Sequence, residues 1–216
     1  MGYEFSTFSR QPQPNWNQEF FMLTHFMRDR KTAVYGNVTR YDQFSMIDAE
    51  YALGIEHQFN NSLMGYAYIT LSPGGYFRPR SRFAGGGAWH MLTVDWRYDT
   101  YMNTRVLTAN PGVRIESRSG WSIAGKLITA HPSHEKSTYG WNGRLDGTLS
   151  ENLRFYLGYA HAPETVAGIT IKTKTYFGGI AADIAPGLML RIGYAHDDRE
   201  NSYIRRGINT SVSYHF

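Results

Sequence analysis

Apolar and polar positions alternate along most of the chain with a period of two, the repeat of a half-buried β-strand. The last segment carries the pattern most clearly. Within residues 203–216, Ile204, Ile208, Thr210, Val212, Tyr214 and Phe216 share one face, and Arg205, Gly207, Asn209, Ser211, Ser213 and His215 share the other. Arg206 interrupts the apolar face near the start of the strand, where a long side chain can reach an interface. Upstream, Leu188, Leu190, Ile192 and Tyr194 alternate with Met189, Arg191, Gly193 and Ala195, and Leu153, Phe155, Leu157 and Tyr159 with Arg154, Tyr156, Gly158 and Ala160. Val94, Trp96 and Tyr98 oppose Asp95, Arg97 and Asp99 in the same way, as Tyr51, Leu53, Ile55 and Phe59 oppose Glu50, Ala52, Gly54 and Glu56. The first strands, near residues 3–9, 18–27 and 32–41, do not declare which face is which.

The connections alternate in length. Residues 28–31, 60–62, 117–120, 150–152 and 185–187 are short, whereas 73–80, 131–137, 162–168 and 196–202 are longer and more polar. This is the grammar of a transmembrane, antiparallel, up-and-down β-barrel, with short turns on one side of a membrane and longer loops on the other. The strand count must be even for both termini to lie at the short-turn end. Division of the chain gives an all-β barrel of about fourteen strands as a single domain over residues 1–216, with twelve and sixteen as alternatives because residues 98–114 are hard to divide. Pro111, inside the strand-like stretch 104–116, donates no ladder hydrogen bond, so a bulge or strand end is expected there.

Composition agrees with this pattern. Mean hydropathy is −0.45, and no run approaches the ~18 apolar residues of a spanning helix. Barrel strands escape that test because they show lipid only every second side chain. Tyr, Phe and Trp make up 15% of the chain, which also holds 22 Gly, as suits pleated surfaces and aromatic girdles. There is no cysteine, and the net charge of +4 is dispersed, so neither a disulfide framework nor a nucleic-acid partner is expected. Met1-Gly2 runs straight into strand-like sequence, so an exported form would have had a leader removed.

Seven acidic residues (Glu50, Glu56, Asp95, Asp99, Glu116, Asp146, Asp183) and seven basic ones (Arg97, Arg114, Lys126, Arg144, Arg154, Arg191, Arg205) fall on the polar phase. A charge facing lipid at mid-depth costs up to ~2–4 kcal/mol, so these residues are expected to line a lumen. Two readings of that lumen stand: a conduit for a polar solute with charged rings setting selectivity, or an interior closed by cross-strand ion pairs.

Other chemistry has weaker footing. His131-Pro132-Ser133-His134-Glu135 could in principle hold a serine hydrolase pair, but it lies on an expected loop without the local signature of such enzymes. No metal, cofactor or catalytic site is expected. Gly85-Gly86-Gly87 lacks the lysine and the setting of a phosphate loop and is read instead as room for an aromatic ring beside Trp89.

The alternating last strand, with Tyr214 and a terminal Phe216, resembles the final strand of bacterial outer-membrane proteins. That resemblance implies recognition by the barrel-insertion machinery and residence in outer-membrane lipid. The order of segments resembles the YaiO family of outer-membrane barrels: GYEFSTFSR followed by Asn15-Trp16-Asn17, YGNVTRYDQF at residues 35–44, the strand with Glu50 and Tyr51, and YLGYAHAPET at residues 156–165. The stretch 78–87 is richer in Arg and Gly than that pattern, which puts a strand there in doubt. The resemblance implies passive passage of a polar, carbohydrate solute in exopolysaccharide secretion, with periplasmic secretion components as partners. Tyr66, Tyr68 and Tyr156 would be sugar-stacking surfaces. The remaining alternatives are a closed structural or partner-binding barrel and a lipid-modifying enzyme.

Overall fold

Period-two alternation translates directly into strands that show one face to each side of a sheet. A computed structural model of the chain describes residues 1–10 and 14–215. The strands are β1 (Gly2–Ser9), β2 (Trp16–Phe26), β3 (Thr32–Gln43), β4 (Met46–Asn60), β5 (Leu63–Leu71), β6 (Ser81–Trp89) and β7 (Leu92–Thr100), followed by β8 (Arg105–Glu116), β9 (Ser122–Pro132), β10 (Thr138–Ser150), β11 (Leu153–Val166), β12 (Ile169–Ala185), β13 (Leu188–Arg199) and β14 (Ile204–Tyr214). Each pairs antiparallel with its neighbours in sequence. β1 also pairs with β14, so the fourteen strands form one closed barrel. Closure leaves no sheet edge with unpaired backbone groups.

One end of the barrel carries Met1, Tyr214 and the short turns at 27–31, 61–62, 90–91, 117–121, 151–152 and 186–187. Register shifts by a residue at Gln58/Asn60, Thr148/Ser150 and Asp183/Ala185, each beside one of these turns, where a bulge adds twist without disturbing the spanning part of the strand. The opposite, loop end carries residues 44–45, 72–80, 101–104, 133–137, 167–168 and 200–203.

Three expectations are corrected. Pro111 produces neither a bulge nor a strand end: it lies inside β8 opposite Val94 of β7, and the register with β9 stays in step on either side of it. The ladder to β9 merely omits Asn110 and Pro111, and the Thr129 hydroxyl bonds both the N–H and the carbonyl of Ala109. Residues 162–168 and 196–202 are mostly strand rather than loop. β11 and β12 stay paired up to Val166 and Ile169, and Ala167 and Gly168 turn the chain with φ of 53° and 79°, both positive as a two-residue hairpin turn requires. The Arg- and Gly-rich stretch in doubt divides at its middle: Arg78 and Arg80 stay in the loop, and β6 begins at Ser81.

The outward phase is apolar and open to its surroundings. Leu53, Ile55, Val94, Ile115, Ile123, Leu157 and Ile180 are all exposed. Phe59, Trp89, Trp121 and Tyr214 stand beside short turns on the same outer surface, the position of an aromatic girdle at a membrane interface. Tyr214 closes β14, while Phe216 lies outside the described residues.

Candidate functional site

Among the fourteen charges anticipated for the lumen, several from non-adjacent strands meet across the interior, as Asp95 of β7 meets Lys126 of β9 and as Arg114, Arg144, Arg154 and Arg191 of β8, β10, β11 and β13 border one cavity. The charges divide into two storeys of different character.

Toward the loop end the interior is packed shut. The 72–80 loop folds into the barrel because the buried carboxylate of Asp48 accepts the backbone N–H groups of Tyr76, Phe77 and Arg78 at 3.1, 3.0 and 2.9 Å. Phe77, only 2% exposed, is thereby held inside. A chain of rings ties the 72–80 loop to the β14–β1–β2–β3 side of the mouth: Phe8 and Tyr203 meet Trp16, Trp16 meets Phe44 at 4.8 Å, Phe44 meets Phe77 at 5.9 Å, and Phe77 meets Tyr41 of β3 at 6.5 Å. Phe44 holds a φ of 56°, a conformation unfavourable for a residue with a side chain, and its ring lies between Trp16 and Phe77. The β11–β12 hairpin bends over the same opening. The Ala167 N–H donates to the Phe77 carbonyl, the Tyr101 hydroxyl to the Thr165 carbonyl and the Arg199 guanidinium to the Ile169 carbonyl.

Beneath these rings lie buried ion pairs. Asp99, with no exposed surface, is bonded by Arg82 at 2.6 Å and has Arg97 Nε at 2.8 Å, close enough for an ion pair but not aligned as a hydrogen bond. Arg82 also approaches Glu50 at 3.9 Å, and Arg78 reaches the same carboxylate at 3.3 Å. On the opposite wall Arg205 binds Asp197 at 2.6 Å and lies 3.8 Å from Glu4. Buried charges of this kind are costly unless paired, and here each has a partner.

Toward the short-turn end the lumen is open. Tyr66 donates to Asp95, which also pairs with Lys126, and stacks on Tyr68 with ring centroids 6.3 Å apart. Arg114 pairs with Glu116 at 2.8 Å, Arg144 with Asp146 at 2.6 Å and Arg154 with Asp183 at 2.8 Å. These three arginines remain half exposed, at 50, 47 and 48%. With Arg191 they line a cavity of about 380 Å³. Glu56 lines a separate recess with Gln58 and His90, and Glu116 borders both spaces. Among the described residues neither Arg191 nor Glu56 has an ion-pair partner. Tyr156 is not an open stacking platform: the Arg144 guanidinium covers its ring at 4.7 Å, and its hydroxyl end lies over Gly179 and Gly193, where a Cβ would collide with it.

The loop cluster does not assemble a serine–histidine pair. The Ser133 hydroxyl interacts with Thr104 and with the Arg105 N–H, while His131 Nδ1 bonds Ser137. The Gly85–Gly87 run gives room to rings, although Trp96 and Tyr66, rather than Trp89, lie against it.

Sequence reasoning missed Asp48, Arg78, Arg82, Asp197 and the aromatic plug. Phe8 and Trp16 belong to the first two strands, whose faces the alternation does not distinguish. Phe44 and Phe77 lie in connections, where periodicity carries no signal.

No protein-family model matches the sequence, and no curated protein sequence matches it. Solved structures do. The chain resembles the CymD monoaromatic hydrocarbon channel, with a TM-score of 0.61, 10% identity and coverage of 100% of this chain and 87% of that one. It resembles the outer membrane protein Omp33 of Acinetobacter baumannii, with a TM-score of 0.56, 10% identity and coverage of 99% and 96%. It resembles the KdgM porin in complex with a disordered oligogalacturonate, with a TM-score of 0.53, 8% identity and coverage of 100% and 98%. The fold is therefore that of the closed antiparallel barrels of bacterial outer membranes.

Proposed function

We propose that this protein is an outer-membrane conduit for a polar solute, entered from the periplasm and gated by loops at its outer mouth. The observation that carries the proposal is the division of the lumen. Half-exposed charges surround open space at the short-turn end, which corresponds to the periplasmic side, and the opposite end is closed chiefly by a loop and a hairpin. A barrel built only for rigidity gains nothing from an open, charged vestibule, whereas a pore needs water and fixed dipoles along its path. Loops and hairpin tips also exchange conformations far more readily than paired strands. Barrels of this fold include a hydrocarbon channel and a porin holding an oligogalacturonate, which supports the conduit reading.

The resemblance of residues 35–44 and 156–165 to YaiO proteins extends the proposal to exopolysaccharide secretion. An outward route fits a vestibule open on the periplasmic side. The test is export of labelled oligosaccharide from liposomes holding the refolded barrel: release that depends on the barrel supports the proposal, and retention in both wild type and a mouth-opened variant overturns it.

A further inference from the structure

We infer that the vestibule at the short-turn end binds an oxyanion-bearing solute through Arg191, supported by Arg144, Arg154 and Arg114. The inference names the solute class of the conduit proposed above and rests on that reading. The two storeys treat their arginines differently. Arg82 and Arg205 are mostly buried against carboxylates that hold them, as structural cations do. The vestibule arginines are half exposed, and their acids engage only part of each guanidinium: Arg114 through Nε, Arg154 through one terminal nitrogen, Arg144 through Nε and one terminal nitrogen. Each guanidinium has five N–H donors in a planar fork, so donors are left over on all three.

The Arg191 side chain makes no hydrogen bond, ion pair or ring contact with the described residues, yet it lines the same cavity. Four arginines and two acids, Glu116 and Asp146, border that space, and Asp183 pairs with Arg154 from its edge. The local balance is therefore positive. Arg144 is fixed further by lying over Tyr156, so its remaining donors are positioned before any solute arrives. A carboxylate or phosphate matches this arrangement bidentately, as a neutral hydroxyl cannot. Glu56, in the recess shared with Glu116, sets the opposite sign elsewhere in the vestibule and turns an anionic group toward the arginine-lined wall.

The test is calorimetric titration of the folded barrel in zwitterionic detergent at low salt with a uronic-acid trisaccharide, a phosphorylated trisaccharide and the neutral parent. An acidic sugar is expected to bind, to weaken with added salt, and to weaken about tenfold in Arg191→Gln. Arg191→Gln leaves no carboxylate without its partner, so the variant folds, which heat-modifiable migration checks. Arg206→Gln, on the outer surface, is expected to bind as wild type does. The tighter of the two acidic sugars identifies the source of the oxyanion. Equal binding of the neutral sugar, no binding of either acid, or an unaltered affinity in Arg191→Gln overturns the inference. Binding as expected in a barrel that never transports leaves the inference standing and removes the conduit, while transport without acid binding does the reverse.

Discussion

The carbonyl of Phe77 accepts a hydrogen bond of 3.1 Å from the N–H of Ala167, joining a loop and a hairpin that arise from nearly opposite walls of the barrel. The loop precedes β6 and the hairpin precedes β12, six strands apart in a ring of fourteen. Two segments that meet across an opening close it, and their separation would open it. Replacing Phe77 by Ala removes the ring that touches Phe44 and Tyr41 while leaving the carbonyl in place. A loss of ~1.4 kcal/mol in the free energy of closing raises the ratio of open to closed states about tenfold, and a buried Phe contributes more than that. Phe77→Ala is therefore expected to raise the open probability at least about tenfold in single-channel recordings.

Phe44 gives a different handle on the same plug. Its φ of 56° costs a residue with a Cβ ~1–2 kcal/mol, and glycine adopts it freely. Phe44→Gly is expected to keep the β3–β4 turn and the unfolding temperature near wild type, because relief of strain offsets lost ring contacts. Channel opening should still rise. Calorimetry beside conductance checks the split, and a large fall in unfolding temperature with unchanged gating would refute it.

The two storeys of charge predict unequal costs. Asp99 is buried between Arg82 and Arg97, and its neutralisation leaves Arg97 without a counter-charge and Arg82 with only the more distant Glu50, a loss of ~3–5 kcal/mol. Glu116 is largely exposed beside a half-exposed Arg114, so Glu116→Gln should cost at most ~1 kcal/mol. Urea unfolding of the two variants in the same detergent checks the contrast.

Gly158 lets the inward ring of Phe177 lie against β11, and a Cβ there would collide with that ring. Gly158→Val is expected to destabilise the barrel by ~1–3 kcal/mol through overpacking. Adding Phe177→Ala should recover much of the loss, which thermal unfolding of the double variant would detect.

How much of this was legible in the sequence follows from where periodicity operates. From Glu50 to Arg205 the alternation assigns inside and outside because lipid and water impose opposite demands on successive residues. It also marks Asp95 with Lys126, and Arg144 with Asp146, as members of one interior, although not as pairs. It could not reveal that the interior has a closed storey. Asp48 acts on backbone N–H groups about thirty residues downstream, through a loop fold that no local pattern encodes. Pro111 misled for a related reason: the missing donor mattered only if the sheet needed it, and β8 keeps step with β9 by omitting that bridge.

The central claim is that this barrel is a conduit closed by its own loops. Its most direct test is single-channel recording of Phe77→Cys/Ala167→Cys, which places two thiols where the loop and the hairpin meet. The account predicts a silent channel under oxidising conditions and steady conductance after reduction, when the Phe77 ring is absent and the tether is broken. A barrel that folds, forms and loses the disulfide, and conducts in neither state would contradict it.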